Sequence, residues 1–181
     1  MQPAFGILLL LTATAANAAP SEWSAPLVVP GFEVGYEQGN AQQSILEQVP
    51  KGETVEKWTR MLTSQRFIGR SFEPGPTQML VNIQGLLRRA CPGGKTTAIT
   101  EFTVSGQPAA RMRSDCPLNP ETGKPETFFI VAFSGDNDLF SEQVAFRRVP
   151  TAADVSFADD VLGSVAWCKT GSTAKTCARR R

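Results

Sequence analysis

Val55, Trp58 and Leu62 recur at intervals of three and four, with Glu56, Lys57 and Arg60 between them. On a helix that spacing gathers the apolar side chains on one face and the charges on another. Residues 49–67, entered through the turn Pro50-Lys51-Gly52-Glu53, are therefore predicted as an amphipathic helix lying on a sheet. Trp58 is its expected anchor, because burying an indole removes about 150–250 Å² from water; the alternative role for the ring is stacking on a ligand. Glu53 would then stabilise the helix N-terminus by its charge. Thr63, Ser64 and Gln65 lower helix propensity toward the end of the segment. A second stripe, Met79, Ile83, Leu86 and Ala90 widened by Leu80 and Leu87, predicts another helix. Pro76 suits its first position, Arg88 and Arg89 its last turn, and Cys91-Pro92-Gly93-Gly94 its termination. A last helix is expected over 156–167, where Ser156 and Asp159 resemble a capping box and Ala158, Val161, Leu162 and Val165 form the buried face.

Elsewhere the period is two or the run is continuously apolar. Residues 27–29 and 32–38, broken by Pro30-Gly31, turn at Gly39-Asn40 and return over 45–49, predicting an N-terminal hairpin. Strands follow at 97–104, at 109–115 and at 139–149. In the second of these, Arg111 and Arg113 face away from Ala110 and Met112 and are expected to form a surface salt-bridge ladder, the alternative being an anion site. The run 126–133 is apolar or β-branched almost throughout, as in a central strand covered on both faces. The sum is an α+β fold, an antiparallel sheet of about six strands with helices packed on its faces.

The first residues change where this fold is expected to work. The apolar run 5–11 is too short to span a bilayer, and Ala16-Asn17-Ala18 has the small-x-small pattern of a cleavage site. Residues 1–18 are thus read as an export signal, and 19–181 as a single globular domain of periplasmic or secreted location, with no transmembrane segment. Its tail is basic, with Lys169, Lys175 and Arg179-Arg180-Arg181. Over the whole chain eighteen Lys and Arg face seventeen Asp and Glu, which sets nucleic-acid binding aside. Four cysteines in an exported chain read as two disulfides. Pairing sequence neighbours, Cys91 with Cys116 and Cys168 with Cys177, closes the shortest loops, each stabilising by roughly 3 kcal/mol.

Candidate chemistry is limited by the absence of histidine. That excludes Ser-His-Asp and Cys-His nucleophiles and histidine-ligated metals, leaving carboxylates, lysine or Tyr36 for acid-base work. Lys169-Thr170-Gly171 and Ser172-Thr173-Ala174-Lys175 match two elements of penicillin-binding enzymes, but adjacent and in reversed order within a disulfide loop. Gly94-Lys95-Thr96 lacks the first glycine of a phosphate loop, having Arg89 in its place. Asp136-Asn137-Asp138 lacks the ligands of a calcium loop and reads as a hairpin turn. Asp159 and Asp160 are consecutive and diverge on a helix. No catalytic residue, metal ligand or cofactor is assigned on these grounds.

Val49-Pro50-Lys51-Gly52-Glu53-Thr54 with Trp58, Leu62 and Thr63, together with Cys91 and Cys116, resembles a group of small uncharacterised bacterial envelope proteins. The order of elements is similar to the PsbP-like fold, named for a photosystem accessory protein. That resemblance fixes no function by itself; the absence of histidine and of any catalytic motif in its proper context gives the expectation of an exported accessory or binding protein, engaging an envelope protein or a small ligand without catalysis. The competing expectation is an envelope hydrolase or transferase built on carboxylates or lysine. Two convergent acids in one cleft, or a lysine beside a serine, would distinguish it.

Overall fold

The computed structural model describes residues 21–25 and 29–177. The expected export signal, residues 27 and 28 of the first strand, and Arg179-Arg180-Arg181 lie outside them. In chain order the elements are β1 (Glu22–Ser24), β2 (Phe32–Gly39), β3 (Gln43–Pro50), β4 (Arg60–Phe67), α1 (Gly75–Ala90), β5 (Lys95–Thr96) and β6 (Thr100–Val104). There follow β7 (Gln107–Asn119), β8 (Lys124–Ser134), β9 (Leu139–Phe146), α2 (Ala152–Gly163) and β10 (Trp167–Lys169). Eight strands form one antiparallel sheet in the order β2-β3-β4-β9-β8-β7, with β5 and β6 sharing the outer edge of β7. β1 pairs with β10 in a separate two-stranded ribbon. The class is α+β as expected, with more sheet than the six strands read from the sequence.

The largest correction concerns residues 49–67. They hold the end of β3, a turn and then β4, and no helix. The turn closes on itself: Lys57 N donates to Thr54 O at 3.0 Å, and the Glu53 carboxylate accepts from Thr59 N at 2.6 Å and Thr59 Oγ1 at 2.8 Å. Glu53 therefore orders the turn instead of a helix N-terminus. Past it, Met61, Leu62 and Thr63 are all buried, because a central strand is covered on both faces and has no polar side to show. Val55 and Trp58 of the turn and Leu62 of the strand fall three and four residues apart, which imitates a helical stripe in sequence.

Each sheet face carries one helix. Leu80 of α1, flanked by Met79, Ile83 and Leu87, packs on Ala110, Met112, Ile130 and Ala132. Leu86 and Ala90, expected on that stripe, face outward. On the opposite face Ala158 and Val161 of α2 pack on Leu62, Phe129, Val144 and Phe146. α2 starts earlier than predicted: Thr151 is the N-cap, its hydroxyl accepts from Asp154 N at 3.2 Å, and the Asp154 carboxylate accepts from Thr151 N at 2.9 Å. This reciprocal pair takes the capping role assigned to Ser156 and Asp159. The helix stops at Gly163, so Trp167 belongs to β10. The strand predicted over 139–149 ends at Phe146.

Both disulfides join sequence neighbours. Cys91 to Cys116 ties the end of α1 to β7 with Cα atoms 5.9 Å apart, and Cys168 to Cys177 closes the loop after β10 at 5.4 Å. The ribbon carrying the second bridge is fastened to the sheet by Glu22. Its carboxylate accepts from the backbone N–H groups of Asp136, Asn137 and Asp138 at 2.7–2.8 Å and from Trp167 Nε1 at 2.9 Å. A Cβ at Gly135 would stand 2.2 Å from Glu22 Oε2, so only glycine admits this carboxylate.

Candidate functional site

Two concavities lie on the α2 face of the sheet. The larger is a groove of about 560 Å³ between α2 and β6–β7. Alternation on β7 sends Arg111 and Arg113 to this face while Ala110 and Met112 serve the core under α1. Phe129 and Val131 floor the groove, and Leu162 forms its apolar wall. The two arginines are held differently. Arg113 lies over the Phe129 ring at 5.1 Å and pairs with Asp115 at 2.6 Å. Arg111 is exposed, lies over Phe102 at 5.6 Å, and has no ion pair among the described residues. The expected ladder thus reduces to one neutralised and one unneutralised guanidinium beside an apolar floor.

The smaller concavity, about 190 Å³, lies where β1 crosses β4 and β9. Glu142 projects there from β9, 1 % exposed, and accepts a hydrogen bond from Ser64 Oγ at 2.6 Å. Burial pushes its pKa up to about 7, opposed only in part by hydrogen bonds from Ser24 and Ser64. Glu37 of the exposed strand β2 lines the same cavity. Arg66 lines it too, but its guanidinium is bound to Asp138 at 2.5 Å.

Glu142 links the cavity to stability. The folded chain keeps it protonated up to about pH 7, whereas an unperturbed glutamate ionises near 4.5. Below about pH 4.5 both states hold the proton and the group is neutral in the balance. Between those values, rising pH favours the unfolded state, and above about pH 7 the full penalty stands at on the order of 3 kcal/mol. Glu47, raised by its own burial, acts in the same sense. Glu142→Gln is therefore expected to melt higher than the parent at pH 8 and to converge with it near pH 4.5, by thermal unfolding across a pH series. Asp154, held near 2 by Arg148 and Thr151 against the effect of its own burial, works oppositely: its contribution is present above 3.8 and disappears as pH falls through about 2.

The fragments resembling catalytic motifs have structural partners. Lys169 Nζ lies 3.1 Å from the Asp136 carboxylate, and Ser172 Oγ accepts from Lys169 N at 3.0 Å inside the disulfide loop. Asp136, Asn137 and Asp138 form the β8–β9 turn around Glu22. Asp159 borders the larger groove. Neither Glu142 nor Glu37 stands out in the sequence; the available signal was one acid at the same alternation as the apolar positions Phe140, Val144 and Phe146 of one strand. No protein-family model and no curated protein matches the chain.

Proposed function

We propose that this chain is an exported accessory or binding protein that holds a small amphiphilic anion in the groove between α2 and β6–β7. The observation that carries the reading is Arg111, a guanidinium with no ion pair among the described residues, at the mouth of a groove floored by Phe129 and Val131. A site of this kind fixes a ligand by one charge and takes its binding energy from the buried body. Arg113, already paired with Asp115, adds a planar surface and less net charge. The two disulfides favour an oxidising compartment. Among the described residues no helix is long and apolar enough to cross a membrane. The antiparallel sheet with a helix on each face supports a PsbP-like architecture, a fold that by itself assigns no ligand.

The test uses anilinonaphthalene sulfonate as an amphiphilic anion, titrated by fluorescence. Arg111→Gln is expected to weaken binding at least tenfold with an unchanged melting temperature, and Leu162→Asp to abolish it. Equal affinity in the parent and Arg111→Gln would overturn the assignment.

A second reading has its own observation. Glu37 and Glu142 line one cavity, and a serine hydroxyl touches one of them, the arrangement that a carboxylate-based hydrolase would require. It ranks second because the Glu142 carboxyl is already occupied by the Ser64 hydroxyl in a space of about 190 Å³, and the neighbouring cation, Arg66, is committed to Asp138.

A further inference from the structure

One end of the sheet is built around the turn between β8 and β9, and two exposed segments are fastened to it. The first is the loop from Ile68 to Glu73, between β4 and α1. Gly69 N donates to the Asp138 carboxylate at 2.8 Å. Ser71, itself buried, donates from its backbone N–H to Asn137 O at 3.0 Å and from its hydroxyl to Gly135 O at 2.6 Å, and its carbonyl accepts from Ser134 Oγ at 2.5 Å. These bonds pin the backbone next to side chains that stand in solvent: Phe72 is 76 % exposed and Ile68 38 %. A single exposed aromatic is ordinary; this one has a second apolar side chain on the same short loop, and Arg70 between the two. Arg70 is exposed and has no ion pair among the described residues.

The second segment runs from Lys169 to Cys177. Lys169 Nζ lies 3.1 Å from the Asp136 carboxylate of the same turn, and the Cys168–Cys177 bridge returns the chain to β10. Lys175 is exposed within this loop, and Ala178-Arg179-Arg180-Arg181 follow Cys177 in the sequence. Negative charge at this end is largely committed. Asp136 is paired with Lys169, Asp138 with Arg66, and Glu22 receives backbone N–H groups, which leaves Glu73 beside Phe72. The balance is positive and spread over two loops and the sequence beyond them, next to a fixed pair of apolar side chains. A broad surface of negative charge over hydrocarbon matches both features at once.

We propose that this end of the molecule docks on an anionic lipid surface, Phe72 and Ile68 entering the boundary between headgroups and acyl chains while Arg70, Lys175 and the arginines after Cys177 engage the headgroups. The attachment is peripheral and reversible. It stands whether or not the groove beside α2 takes an anion.

Residues 19–181, the form expected after export, are used so that the apolar run 5–11 cannot contribute. The protein is sedimented with vesicles of equal parts phosphatidylglycerol and phosphatidylcholine, and with vesicles of phosphatidylcholine alone. Binding to the first is expected to be about tenfold tighter or more, and the preference to shrink as salt is raised, since screening acts on exposed charges. Phe72→Ser should weaken binding about tenfold and Arg70→Gln about fivefold, both with an unchanged melting temperature because the side chains are exposed. Phe72→Trp should place an indole where lipid brominated in its acyl chains quenches it beyond the quenching of the parent's own tryptophans. Equal binding by the parent and Phe72→Ser would leave only the attraction of the charged tail and overturn the proposal. So would concentration-dependent dimerisation that Phe72→Ser abolishes, without vesicle binding, which would assign the loop to a second copy of the chain. Absence of binding to the phosphatidylglycerol vesicles at low salt would overturn it outright.

Discussion

Trp58→Ala is expected to lower the unfolding free energy by about 3–5 kcal/mol, the range for removing a large aromatic side chain from a core. Trp58 is 7 % exposed and packs with Val49, Met61 and Ala145, with Val55 and Phe128 at the margin. The Arg147 guanidinium lies 4.0 Å from its ring centroid and donates to Glu56 O at 2.8 Å. Truncation thus opens a cavity and also removes the surface on which a charged side chain rests. Denaturant unfolding of the two proteins measures the loss. A loss below about 1 kcal/mol would place the ring outside the core and return it to the ligand-stacking role that its sequence also allowed.

Glu22→Ala is expected to cost about 3–5 kcal/mol, because it removes several hydrogen bonds to a charged acceptor, each worth roughly 1.5–3 kcal/mol, and leaves their N–H donors without it. Four donors converge on this carboxylate, three of them consecutive backbone N–H groups. Glu22→Gln should cost less, since an amide oxygen accepts some of these bonds but its NH₂ meets donors. Chemical denaturation gives both numbers. Susceptibility to proteolysis at the β1 segment should rise in the same order, because Glu22 ties that segment to the β8–β9 turn. Equal stability of Glu22→Ala and the parent would mean that the pairing of β1 with β10 suffices without the carboxylate.

Elements with an unambiguous period were legible. Met79, Ile83 and Leu87 recur as only a helix requires, and the alternation around Arg111 and Arg113 identifies a half-covered strand. The segment after Trp58 was illegible for a physical reason: a strand buried on both faces has no polar side, so its pattern is lost in the approach from a helix-like turn. The α2 cap was misplaced because Thr151 with Asp154 and Ser156 with Asp159 have the same spacing, and only the path of the chain past Pro150 selects between them. Neither concavity could be read. Glu142 gains its neighbours from β1 and β4, and Arg111 gains an apolar floor from β8; all are contacts across the sheet that no local window contains.

The pairing of β4 with β9 sets the order in which the molecule can form. Each meander, β2-β3-β4 on one side and β6-β7-β8-β9 on the other, is built from strands adjacent in the chain and can zip locally. Their seam joins Ser64 to Glu142, 78 residues apart, and runs through all eight residues of each strand. Closing it carries a loop entropy that local pairing does not repay, so the seam belongs late on the folding route. Until it closes, β4 and β9 are unpaired edges with apolar faces, the surfaces on which partly folded chains associate. Refolding yield should therefore fall with protein concentration more steeply than native stability would suggest.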